Sequence, residues 1–131
     1  MSATTAVLAG RRAAEALMVD ACTIRRQSGE ATDPDTGQIT RTYTVVYSGR
    51  CRIQQRALES QGSDVGEARV YQVPYELQLP MSVTGPAVED VVTCDTSALD
   101  ADLPGRQWWI RGLAGGTHKT ARRIQIEEVT G

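Results

Sequence analysis

The residues that could do chemistry are few and scattered. His118 is the single histidine of the chain. It follows Gly115, Gly116 and Thr117 in a stretch that reads as a turn. A general base needs a positioned nucleophile or acid, and no Ser-, Cys- or Asp-bearing motif accompanies it. The run "GLAGGTHKT" echoes a phosphate loop in Lys119 and Thr120. Its spacing fails the GxxxxGK[ST] pattern, and it leads into a strand rather than a helix. Cys22, Cys51 and Cys94 are odd in number and far apart, with no CxxC pair. That excludes a disulfide framework and lacks the short ligand spacing of a zinc site. Cys22 alternates with Ile24, and Cys51 with Ile53, which reads as small buried hydrophobes on strands. The carboxylate pairs Asp100 with Asp102 and Glu127 with Glu128 read as hydrated surface. These observations predict no enzyme, no catalytic residue, no cofactor and no metal.

The elements that hold these residues follow from periodicity. Residues 3 to 19 are Ala-rich and free of Pro, with Val7, Ala14, Leu17 and Met18 at helical spacing, so they predict an N-terminal helix. Ser2, Thr4 and Thr5 are its candidate caps. After Asp20 the period becomes two. "CTIRRQ", "ITRTYTVVYSG", "RCRIQQ", "VYQVPYELQLP", "VVTCDTS", "RQWWIRGL" and "TARRIQIEEV" read as strands. "TDPDTGQ" makes a hairpin of the first two, and Gly49 allows a change of direction into the third. The fourth alternates Tyr71, Val73, Tyr75, Leu77 and Leu79 with Gln72, Glu76 and Gln78, one apolar face and one wet face. Pro74 cannot donate to a ladder, so its position calls for an open edge or a bulge. The expected fold is mainly β: a small antiparallel β-barrel of about six or seven strands behind one helix. Residues 1–19 form the helix and 20–131 a single domain, with a long loop at 56–66.

Composition narrows function. A net charge of -2 excludes the strongly basic footprint of a dedicated nucleic-acid binder. No apolar run is long enough to span a membrane, and the first twenty residues lack the order of a secretory signal. Arg25, Arg26, Arg50, Arg52, Arg122 and Arg123 alternate with inward positions, either as a salt-bridged outer face or as a basic stripe. Alternation sends Trp108 to the core and Trp109 outward, where Trp109 with Arg111 is an interface candidate. One such aromatic–basic pair is thin support for a monomeric oligonucleotide-binding barrel, the alternative of a different class.

"GRRAAEALMVDACTIRR", then "DPDTGQITRTYTVVYSGRCRIQ", "YQVPYELQLP", "VEDVVTCDTS" and "GRQWWIRGLAGGTHKTARRIQIEE" together span nearly the whole chain. In this layout the sequence resembles small neck proteins of long-tailed phages that infect actinobacteria. Where other members carry Gly-Asp before the fifth strand, this chain has Glu89-Asp90. The resemblance implies a head-completion or stopper protein, with a tail terminator or other neck ring protein as the alternative. It implies a homo-oligomeric ring, dodecameric like the portal, between portal and adaptor proteins above and tail proteins below. Double-stranded DNA would pass through without sequence recognition. The place of work would be the virion, after synthesis in the cytoplasm of the bacterial host. On that reading residues 56–66 supply a channel loop: Glu59 and Asp64 repel phosphate, Arg56 and Arg69 flank it, and Glu67 is a further candidate. Pro74, Trp109 and Arg111 become candidates for the contact between subunits.

Overall fold

A computed structural model of the chain describes residues 2–56 and 74–129. Helix α1 spans Ala3–Ala16. Ser2 is its N-cap, with the hydroxyl accepting from the Thr5 amide at 3.2 Å. The helix stops three residues earlier than its composition suggests, because Leu17 caps it and the Met18 amide turns back to the Glu15 carbonyl. Met18 is buried, whereas no residue within α1 is. Gly10 sits in mid-helix for a packing reason. A β-carbon there would lie 2.8 Å from Cγ2 of Thr120, so the missing side chain lets α1 lie close to that turn.

Six antiparallel strands follow: β1 (Asp20–Thr32), β2 (Ile39–Gln55), β3 (Tyr75–Leu79), β4 (Val91–Ser97), β5 (Gln107–Leu113) and β6 (Arg122–Glu128). They bond in the order β1-β2-β3-β6-β5-β4, and β4 returns to β1, so the sheet closes on itself. Inward residues alternate along each strand. Cys22, Ile24, Cys51, Leu77, Leu79, Val92, Cys94, Trp108 and Ile110 are wholly buried in one core. The Tyr75 ring tilts against Trp108 with centroids 5.6 Å apart.

The expectation of a simple small barrel is corrected on two counts. Gly49 makes no change of direction: the two runs on either side of it are one strand of 17 residues, which brings the strand count to six. Gly49 instead leaves room for the Tyr47 ring, whose hydroxyl would lie 2.8 Å from an added β-carbon. The second correction is one of shape. β1 and β2 are 13 and 17 residues long, against 5 to 7 for the other four. A strand of about six residues already crosses a small sheet. The surplus therefore runs past the closed sheet as a two-stranded arm, paired from Gln27↔Tyr43 to Thr32↔Ile39. The tip is a tight turn: the Asp33 carboxylate accepts from the Asp35 amide at 2.9 Å, and Gly37 takes φ 70°.

β3 departs from expectation too. Its supposed wet face is dry: Glu76 and Gln78 are buried along with Leu77 and Leu79. Glu76 is met by Gln54 Nε2 at 3.4 Å and by Arg123 Nε at 4.0 Å. Nor does β3 offer an open edge, since it pairs with β2 on one side and β6 on the other. Pro74 lies just ahead of the strand, so the ladder never asks it for a donor.

Candidate interaction surface

The polar side chains that converge do so in two clusters, one at each end of the closed sheet. At the end from which the arm projects, Arg26 on β1 grips Asp90 ahead of β4. Its Nε donates to Oδ1 at 2.9 Å and one Nη to Oδ2 at 3.0 Å. The same guanidinium donates to the Gly85 carbonyl at 3.0 Å, and Asp90 accepts from the Ala87 amide at 2.8 Å. Asp90 is 2% exposed, so its charge is tolerated only because these donors surround it. The pairing with Asp90 raises the pKa of Arg26, chiefly through the side-chain hydrogen bond. The clamp holds the 80–90 connection against the base of the arm. There Val46 lies so close that a β-carbon on Gly85 would meet its Cγ1 at 2.9 Å.

At the opposite end Arg106 donates to Glu128 at 2.6 Å and to the Tyr75 hydroxyl at 3.0 Å, with its guanidinium 5.7 Å from the centre of the Trp108 ring. This ties β3, β5 and β6 together. Nearby, buried Asp20 accepts from the Ser97 hydroxyl at 2.6 Å. Trp108 Nε1 is the one buried side-chain polar atom without a partner among the described residues.

The three cysteines, remote in sequence, meet in the core. Cys22 and Cys94 are cross-strand partners, and Cys22 is also in hydrogen-bonding contact with Cys51. Hydrogen bonding and burial raise the Cys51 pKa, and burial pushes that of Cys94 up to about 11. Thiolates are the form that binds metals and attacks electrophiles, so these thiols are held in their inert form. Among the described residues no group of three or more His, Cys, Asp or Glu side chains is arranged around a metal position. Nor, among them, is any helix long and apolar enough to cross a membrane.

The predicted site residues separate. Arg56 is exposed at the end of β2, where its amide donates to the Pro74 carbonyl at 2.8 Å. Glu59, Asp64, Glu67 and Arg69 lie outside the described residues. Pro74 is half-buried. Trp109 is half-buried on the outer face with the Arg111 guanidinium 5.8 Å from its ring centre, and Arg111 is paired with Glu127 at 2.8 Å. Of the six arginines read as either a salt-bridged outer face or a stripe, four are engaged at separate places: Arg26 to Asp90, Arg50 to Glu15, Arg123 towards Glu76 and Arg122 to the Met81 carbonyl.

The oligonucleotide-barrel alternative is overturned here. That fold is a five-stranded barrel with a face of stacked aromatics and free cations. This sheet has six strands, and its outward Trp109–Arg111 pair is committed to Glu127.

What the sequence reading missed is the arm. Ile39 and Tyr43 stand on one face of it and Val45 lies just below its base, each about half exposed. The signal was present: "TDPDTGQ" lies between alternating runs too long to fit inside one small sheet. The arm projects from the end that also carries the β5–β6 turn. At the same end Leu79, Val83, Pro86, Leu113 and Ile124 line a mostly apolar, shallow pocket of about 120 Å³, with Thr84 and Arg122 also in its wall.

The geometry defines a class: a closed six-stranded antiparallel sheet with an N-terminal helix and a projecting hairpin. The chain belongs to DUF6093, a family of unknown function, whose model matches residues 10–127. No curated protein matches it. The solution structure of protein SF1141 from Shigella flexneri 2a is similar at 18% identity. The match covers 83% of this chain and 90% of that one, with a TM-score of 0.50. At that identity the likeness is one of fold.

Proposed function

We propose that this protein is a structural subunit of the phage neck, a head-completion or stopper protein that works as one member of a ring between head and tail. The observation that carries the reading is the arm: a long, paired extension whose apolar residues lie exposed. A hairpin of this kind costs ordering entropy and contributes little to its own core. It is suited to contact with another molecule. The resemblance to neck proteins across nearly the whole sequence supports the same reading. The two polar clusters support it as well, because their charges are spent on holding connections in place. In such a ring the sealing of the DNA channel and the docking of the tail come from shape and repetition. The test is genetic. Phage lacking the gene should package DNA into heads that then lose it and carry no tails. Tailed, infectious particles from the deletion would overturn the proposal.

A further inference from the structure

We propose that the arm is the device by which one copy of this chain grips the next, its apolar face over the neighbour's pocket and its acidic tip on the neighbour's basic cluster. The inference rests on the ring reading and specifies its subunit contact.

The arm offers two features to a partner. Along its length Ile39 and Tyr43 are 56% and 49% exposed, and Val45 at its base is 55% exposed. At its tip stand Asp33 and Asp35, for which no cation lies within ion-pair distance among the described residues. The Asp35 amide holds the Asp33 carboxyl below its ordinary pKa.

The complementary features lie elsewhere on the same chain, at the same end of the sheet. Arg11 on α1 stands beside Lys119 of the β5–β6 turn, its Nε donating to the Lys119 carbonyl at 3.1 Å, and the exposed Arg12 follows it on the helix. None of the three has a carboxylate within ion-pair distance among the described residues. That turn follows Leu113, itself 52% exposed at the rim of the shallow apolar pocket. An apolar stripe with a negative end thus has its counterpart in an apolar pocket with a positive neighbour. Two different patches meeting between copies make a heterologous contact, which closes into a ring when the rotation permits. The paired arm from Gln27 to Thr32 reaches about 20 Å, enough to leave its own sheet and cover another.

Lys119 is the only lysine in the chain, which makes the contact readable. Full-length protein, half of it 15N-labelled, is mixed, concentrated at low salt and treated with a carbodiimide that joins carboxylates to amines. Lys119 should be linked to Asp33 or Asp35 in peptides that pair heavy with light isotope. High salt should lower the yield severalfold, and so should Tyr43→Ser, which leaves the linking groups intact. Links confined to one isotope, or links from Lys119 to other carboxylates only, overturn the proposal. Electron microscopy of the same sample separates the two readings. Rings without the Lys119–Asp33 or Lys119–Asp35 link refute the arm contact and leave the ring standing. Absence of both links and rings refutes the arm contact, and the ring is then judged by the deletion phage.

Discussion

Glu89 is the one residue other than glycine with positive φ among the described residues, at 78°. Its amide donates to the Ile110 carbonyl at 2.9 Å, and Ile110 donates back to the Asp90 carbonyl, so the backbone is held in that conformation from both sides. A side chain in this region costs about 1–2 kcal/mol, and glycine gives back about 0.4–1 kcal/mol through the freedom of the unfolded chain. Glu89→Gly should therefore stabilise the protein modestly, by up to about 1 kcal/mol, read as a higher urea midpoint. The turn ahead of β4 is thus made here at a cost. Next to it, Asp90→Ala should lose roughly 2–3 kcal/mol by stripping the charge-assisted bonds and leaving the Ala87 amide without its acceptor. Asp90→Asn keeps an acceptor and should cost less. A phenol and a thiol give a pH prediction. Burial raises the Tyr47 pKa from 10.0 to about 12, and that of Cys94 from 9.0 to about 11. Both groups bind their protons more tightly when folded. Their contribution is whole below pH 9 and is lost as pH rises towards 12, so the urea midpoint should fall across that window. At neutral pH a thiol reagent should label the three cysteines only after unfolding. The inward place of Cys22 and Cys51 was legible from their alternation with isoleucines. Asp90 as the partner of Arg26 was not, because 64 residues separate them and only the closed sheet brings them together.

Strands proved easier to find than to delimit. Alternation marked every one, and it put Trp108 inside and Trp109 outside correctly. It failed at Gly49, where glycine serves a side-chain contact within a continuous strand. It failed again on β3, where Glu76 and Gln78 alternate as a solvated face would. A central strand lies between neighbours whose own side chains, Gln54 and Arg123 here, cover that face. Sequence pattern carries polarity but not what lies above it. The arm yields a prediction at this scale. Nearly every residue from 28 to 42 is exposed, so replacing that span by an Asn-Gly turn should leave the closed sheet folded. The urea midpoint should shift by no more than the equivalent of about 1 kcal/mol. A collapse of stability would mean that the arm folds as part of the core.

At the scale of the whole molecule, closure of the sheet pairs each strand on both sides within the core, and among the described residues open edges remain along the arm and the stretch of β2 that leads to it. Association by strand addition is thereby confined to the arm and that stretch of β2, and other contact falls to faces and turns. That bears on the expectation that a proline-bearing edge strand receives the neighbour: β3 is paired on both sides. Charge is likewise settled within the chain at both ends of the sheet, by Arg26 with Asp90 and by Arg106 with Glu128. What the molecule presents outward is a hairpin with an acidic tip, and near its base a pocket beside a basic turn. The most direct measurement is a reconstruction by electron cryomicroscopy of the head–tail junction in purified virions. Copies of this chain should form one ring around the DNA channel, each arm lying on the next copy. Virions that lack the protein, or that carry it away from the junction, would contradict its reading as a neck subunit.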